Sequence, residues 1–152
     1  MAKIQIDGFA ELERQLNASY DQIHKINKSG LYDGAEVIAD AVHAEIDNIP
    51  SNCLLNERER DDLKQGLFVS KHKDTKDGVE TYVSFAGYNN WTDGPSGSTG
   101  DPIILIARSV SKGSSLRKGK YKFTDKATRN NRKKAEEAIA DKIDKEIEKL
   151  FK

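Results

Sequence analysis

A single cysteine, three histidines and no long apolar run set the first limits on this 152-residue chain. The lone Cys53 cannot close an internal disulfide and has no C-x-x-C partner, so it is expected to be a buried or idle thiol. His24, His43 and His72 fall in separate segments without H-x-x-x-H spacing, and with a single cysteine there is no C-x-x-C beside them, which leaves little pattern for a metal site. Neither G-x-x-x-x-G-K-[ST] nor G-x-G-x-x-G occurs, and no serine stands in G-x-S-x-G. P-loop, dinucleotide-fold and serine-hydrolase chemistry are therefore without support. The carboxylates Asp61-Asp62 and Glu57 with Glu59 lie in so charged a stretch that they read as a solvated face. No cofactor and no enzymatic activity are expected. The segment from Lys3 to Ile6 is too short and polar for a signal or transmembrane segment, so the protein is expected in the cytoplasm, away from membranes.

What is plentiful is charge. With 36% hydrophobic and 33% charged residues, the composition suits exposed helices, mobile loops or surfaces covered only in an assembly. The length fits one domain, able to bury roughly two thirds of its unfolded surface. Formal net charge is zero, but residues 1–107 carry 10 basic and 18 acidic side chains, net −8, whereas residues 108–134 carry 11 basic residues against Asp125 alone, net +10. Residues 135–152 return to net −2. Such segregation steers association between complementary surfaces or attracts phosphate.

Periodicity supplies the elements. After a short strand at Lys3 to Ile6, Asp7 suits the N-cap of a helix carrying Phe9, Leu12, Leu16, Tyr20 and Ile23 at spacings of three and four. Lys28-Ser29-Gly30 is expected to interrupt it. A second helix then runs to Pro50 with Leu31, Ala35, Ile38, Val42, Ile46 and Ile49 on one face. Residues 51–65 read as a loop or a solvated helical turn. A hairpin follows, Leu67 to Lys73 against Val79 to Phe85, in which Val79, Thr81, Val83 and Phe85 alternate with polar neighbours.

The stretch from Gly87 to Gly100, with Asn89-Asn90 and the sole Trp91, reads as a long loop. Its tryptophan either tucks onto the core or waits for a partner. Asp101 and Pro102 suit the start of a short helix with Ile103, Ile106, Ala107 and Val110 on one face, a buried strand being the rival. A final helix is expected from about Asp125 to Phe151, capped by Thr124, with Ala135, Ile139, Ile143, Ile147 and Leu150 on a narrow stripe. The fold expected is a single α+β domain, two amino-terminal helices and a long carboxy-terminal helix around a small antiparallel sheet. Loops at about 87–100 and 111–122 are expected to be flexible.

The one constellation with chemical content is basic. Lys112, Arg117, Lys118, Lys120, Lys122, Lys126, Arg129, Arg132, Lys133 and Lys134 are interleaved with Tyr121 and Phe123. That pattern serves a solvated loop, a surface for an acidic protein neighbour, or a phosphate-contacting surface with aromatic planes.

Val110, Gly113, Ser114 and Ser115, followed by Phe123 and Ala127, resemble the V-E-x-G-T-S turn and P-F-x-x-x-A segment of the neck, or tail-completion, proteins of long-tailed bacteriophages. Ser111 stands where that family usually has glutamate, and Lys122 where it has proline. The resemblance implies a structural protein, made in the host cytoplasm and built into the virion neck as a ring of copies between head-closure (connector) and tail-terminator proteins. Together with the basic stretch it implies an interface at Trp91, Ser111, Gly113, Ser114, Ser115, Arg117, Lys118, Tyr121, Phe123, Arg129 and Arg132. The two loops would become ordered on assembly. The alternative is a small nucleic-acid-binding protein that uses residues 108–134.

Overall fold

The computed structural model describes residues 9–76, 78–91 and 100–150, with side chains from residue 14 onward. The strand expected at Lys3 to Ile6, the Asp7 cap and most of the glycine-rich loop lie outside these residues. Helix α1 spans Phe9–Asp47, a 3-10 turn Ser51–Cys53, and α2 Arg58–Gly66. Strands β1 (Leu67–Val69), β2 (Lys73–Thr75), β3 (Gly78–Glu80) and β4 (Val83–Phe85) follow, then α3 (Ile103–Lys112) and α4 (Phe123–Leu150). The architecture is α+β, with α1 and α4 packed together.

Instead of two amino-terminal helices there is one of 39 residues, and Lys28-Ser29-Gly30 lies inside it without a break. Gly30 is there for packing. A Cβ on it would stand 2.9 Å from Ile143 Cγ1, and one on Gly34 would stand 2.5 Å from Ile139 Cγ1 and 3.1 Å from the Ala135 carbonyl oxygen. The two glycines let α4 approach closely. Replacing glycine by alanine inside an exposed helix gains about 1 kcal/mol. Overpacking costs about 1–3 kcal/mol. Gly34→Ala is therefore expected to lower stability, the reverse of its local propensity, as a urea titration would read.

Helices α1 and α4 run antiparallel: Glu45 meets Lys126, Gly34 meets Ile139 and Gly30 meets Ile143. That register places the end of α4 opposite about residue 22 of α1, so the first turns of α1 outrun it. Leu16, Tyr20 and Ile23, expected on a core-facing stripe, are accordingly exposed, as are Ile147 and Leu150 at the far end of α4. The core lies at the other end. Val42 and Ile46 of α1, with Ile49 just past its end, meet Leu63, Phe85, Ile103, Ile106, Ala107, Val110, Phe123 and Ala127. Val110, Leu63, Ile46 and Phe123 have no measurable exposure.

No basic residue lies in the last turn of α1. Arg60 of α2 supplies that charge, donating to the carbonyls of Ile46, Asp47 and Ile49 at 2.7–2.9 Å, which satisfies helix-end acceptors that have no partner within the helix. The expected hairpin is present in two ladders. Leu67 pairs with Phe85 and Val69 with Val83, then Lys73 with Glu80 and Thr75 with Gly78. Three residues, 70–72, face two, 81–82, between the ladders, a bulge across which His72 Nδ1 lies 2.8 Å from Thr81 Oγ1.

The base of the following loop is closed by Asn89 and Asp101. The Asn89 amide donates to the Asp101 carbonyl at 3.0 Å, and the Asp101 amide to Asn89 Oδ1 at 2.8 Å. Gly100 beside them has φ +56°, and a Cβ there would fall 1.8 Å from the Asn89 carbonyl oxygen. Helix α3 is a helix and not a strand, with Ile103, Ile106, Ala107 and Val110 all buried. Its N-cap is Pro102 rather than Asp101, and α4 begins at Phe123, which puts Thr124 inside the first turn instead of at the cap.

Candidate functional site

The segment between α3 and α4 was expected to be loose, and its residues divide into anchors and presenters. Helix α3 ends where Gly113 takes φ 82° and its amide bonds the Ser109 carbonyl. Ser114 and Ser115 then turn outward, and Leu116 is 75% exposed. The chain is drawn back by Arg117. Its side chain is 2% exposed and clasps the equally buried Glu59 through both carboxylate oxygens, at 2.6 and 2.7 Å. Arg117 also donates to the Cys53 carbonyl and to Ser109 Oγ, each at 2.8 Å, while Glu59 Oε2 accepts the Leu55 amide at 3.0 Å. One buried ion pair thus fastens the segment to α2, the 3-10 turn and α3. A second tie, the Tyr121 amide to the Val110 carbonyl at 2.9 Å, completes the return.

Two expectations are corrected here. Arg117 is an internal anchor, because its guanidinium is fully engaged inside the chain, and Phe123 is core, packed edge-on against Phe85 with ring centroids 5.9 Å apart. Neither side chain is available to a partner. Nor is Glu59 part of a solvated acidic face. Its burial tracks no periodicity, since the partner that makes it tolerable lies 58 residues away. Tyr121 is half-buried and donates its hydroxyl proton to Glu45, which also receives Lys126 Nζ at 2.6 Å. Trp91 is half-buried with its indole N–H on Asp62 Oδ2 at 2.6 Å, so it is tucked back against α2. Cys53 is buried.

Glu45 carries a measurable consequence. Partial burial pushes its pKa up, but hydrogen bonds from Lys126 and Tyr121 outweigh that and hold it below the usual 4.5. A depressed carboxylate contributes stability that is present above the unfolded pKa and lost as pH falls through the folded one. The stability gap between the native protein and Glu45→Gln is therefore expected to be widest near neutrality and to close below about pH 4.5. Urea titrations of both proteins across that range read it directly.

Of the 11 basic residues in 108–134, Arg117 and Lys126 are tied as described, and Arg132 bonds Glu136 one turn on, at 2.8 Å. The other eight, Arg108, Lys112, Lys118, Lys120, Lys122, Arg129, Lys133 and Lys134, are exposed and make no ion pair among the described residues. Three of them, Arg108, Lys112 and Lys122, line an open groove of about 440 Å³ between β4, α3 and the start of α4, with Ser84, Ser111 and Thr124 between them and Asp125 as its carboxylate. Of the expected interface residues, Ser111 is in this groove, Gly113, Ser114 and Ser115 lie in the turn that follows α3, Lys118 comes just after Arg117, and Arg129 lies further along α4. Among the described residues no group of His, Cys, Asp and Glu could hold a metal ion, and no helix is long and apolar enough to cross a membrane. Comparison with family models, curated proteins and solved structures finds no match.

Proposed function

We propose that this chain is a structural subunit of a long-tailed phage neck, a member of a ring that joins the DNA-filled head to the tail between head-closure and tail-terminator proteins. The observation that carries the reading is the way the matching residues divide between support and display. Val110, Phe123 and Ala127 are buried together in the core, whereas Gly113, Ser114 and Ser115 form an outward turn held in place by the buried Arg117. That construction, a turn held by a buried ion pair and flanked in the chain by exposed cations, suits docking. Residues 111–122, expected to be loose until assembly, carry internal ties at Gly113, Arg117 and Tyr121.

The alternative, nucleic-acid binding, draws on the eight unpaired cations. It loses the plane of Phe123, which is enclosed, and the half-buried Tyr121 already carries Lys126 Nζ 5.2 Å from its ring centroid. Deleting and restoring the gene in the phage or prophage that encodes it, followed by negative-stain electron microscopy, tests the neck reading. Filled heads and separate finished tails in the deletion, rejoined on restoration, are expected. Normal joined particles in the deletion would overturn it.

A further inference from the structure

Among the described residues the β1–β4 ladder has only two strands, so neither outer edge is paired with a further strand. The Ala86 amide donates to the Gly66 carbonyl at 2.8 Å and the Ser70 amide to the Tyr82 carbonyl at 2.7 Å, one at each end of the ladder. The alternation of antiparallel pairing therefore turns the backbone groups of Val69 outward on one edge and those of Val83 outward on the other. Each edge has its own groove, and the two differ in sign. Along β4 lies the groove of Arg108, Lys112 and Lys122, with Ile104 48% exposed at its wall and Asp125 the one carboxylate. Along β1 lies a groove formed with α1, where Glu36 and Asp40 stand beside Phe68, itself 41% exposed. Of the cationic groups there, Lys64 is already paired with Asp47 at 2.5 Å, and His43 is the remaining titratable neighbour. Glu36 and Asp40 make no ion pair among the described residues.

We propose that the acidic β1 groove of one copy of this chain seats against the basic β4 groove of the next. A two-fold contact would have to bring both grooves to one face, each meeting its opposite, whereas these lie along opposite edges of one ladder. They fit a head-to-tail contact, which closes into a ring when the rotation per copy allows. Phe68 of one copy and Ile104 of the next supply the apolar centre, and Glu36 and Asp40 answer Arg108, Lys112 and Lys122 at the rim. The proposal rests on the ring reading above, and names the surfaces through which such a ring would form.

The test is charge reversal in the full chain, read by sedimentation velocity at about 50 mM and about 500 mM salt. The native protein is expected to self-associate with rising concentration, more strongly at low salt. Glu36→Lys with Asp40→Lys, or Arg108→Glu with Lys112→Glu, should each weaken association by more than about tenfold, because like charges then face one another. All four changes in one chain should restore it. The four side chains are exposed and unpaired, so circular dichroism and thermal unfolding should match the native protein and exclude misfolding.

A monomer under every condition, or association untouched by either reversal, overturns the proposal. So does a basic-face variant that loses binding to a DNA duplex while its self-association is unchanged, since the groove is then a phosphate surface. Complementation separates this contact from the neck reading. If the gene is required for joining but both reversal variants rejoin heads and tails, the neck assignment stands and the contact falls. If the gene is dispensable while the reversals behave as described, the contact stands and the neck assignment falls.

Discussion

Arg117→Ala is expected to lower the unfolding free energy by about 3–5 kcal/mol, the usual loss when one member of a buried ion pair is removed. The substitution leaves the Glu59 carboxylate at 2% exposure without its cation, and deprives the Cys53 carbonyl and Ser109 hydroxyl of the same donor. For a domain stable by about 5–15 kcal/mol, that is a large share. Arg117→Lys should recover only part of it, since one ammonium cannot reproduce a fork that serves both carboxylate oxygens, a hydroxyl and a carbonyl. Glu59→Ala should cost a similar amount, and Arg117→Ala with Glu59→Ala should cost clearly less than the two losses added. Urea unfolding of the three proteins measures the coupling. Single losses below about 1 kcal/mol would mean that the pair behaves as a surface salt bridge, and the rigidity ascribed to the 113–122 segment would go with it.

This pair also marks where sequence reading stops. The apolar face of α3 was legible because Ile103, Ile106, Ala107 and Val110 repeat at helical spacing and all turn inward. The hairpin was legible because Val79, Thr81, Val83 and Phe85 keep one sheet face, although the bulge at residues 70–72 left no local mark. Gly30 was misread because a glycine looks the same locally whether it breaks a helix or admits a neighbour. Only the approach of Ile143 decides. Leu16, Tyr20 and Ile23 carry a genuine amphipathic period, but a period shows which face is apolar, not whether anything lies against it.

For the candidate surface the limit is similar. The basic stretch was visible as composition, yet its division into two tied cations, one helix-surface pair and eight exposed unpaired ones depends on Glu45, Glu59 and Glu136. The first two lie far away in sequence. The acidic groove along β1 had no signature at all, because Glu36, Asp40 and Phe68 are brought together only by the fold.

Phe123→Ala is expected to cost a further class of stability, about 3–5 kcal/mol, through the cavity it leaves. Phe123 is the largest of the fully enclosed side chains and stacks edge-on against Phe85, an arrangement that adds about 0.5–1.5 kcal/mol beyond area burial. Phe123→Leu should cost less, because most of the volume is kept. The position gives the loss a direction as well as a size. Phe123 opens α4, directly after the segment that Arg117 and the Tyr121 amide hold down, and Val110, which receives that amide, belongs to the same core. Emptying the site should therefore loosen the start of α4 and the segment before it ahead of global unfolding, while the α1–α4 contact at Gly30 and Gly34 stays closed. Amide exchange distinguishes this from a uniform loss: protection at Tyr121 should fall more than protection around Ile139. If both fell equally, the turn and the helical pair would be one cooperative unit, and the buried Arg117 would be holding nothing that the core did not already hold.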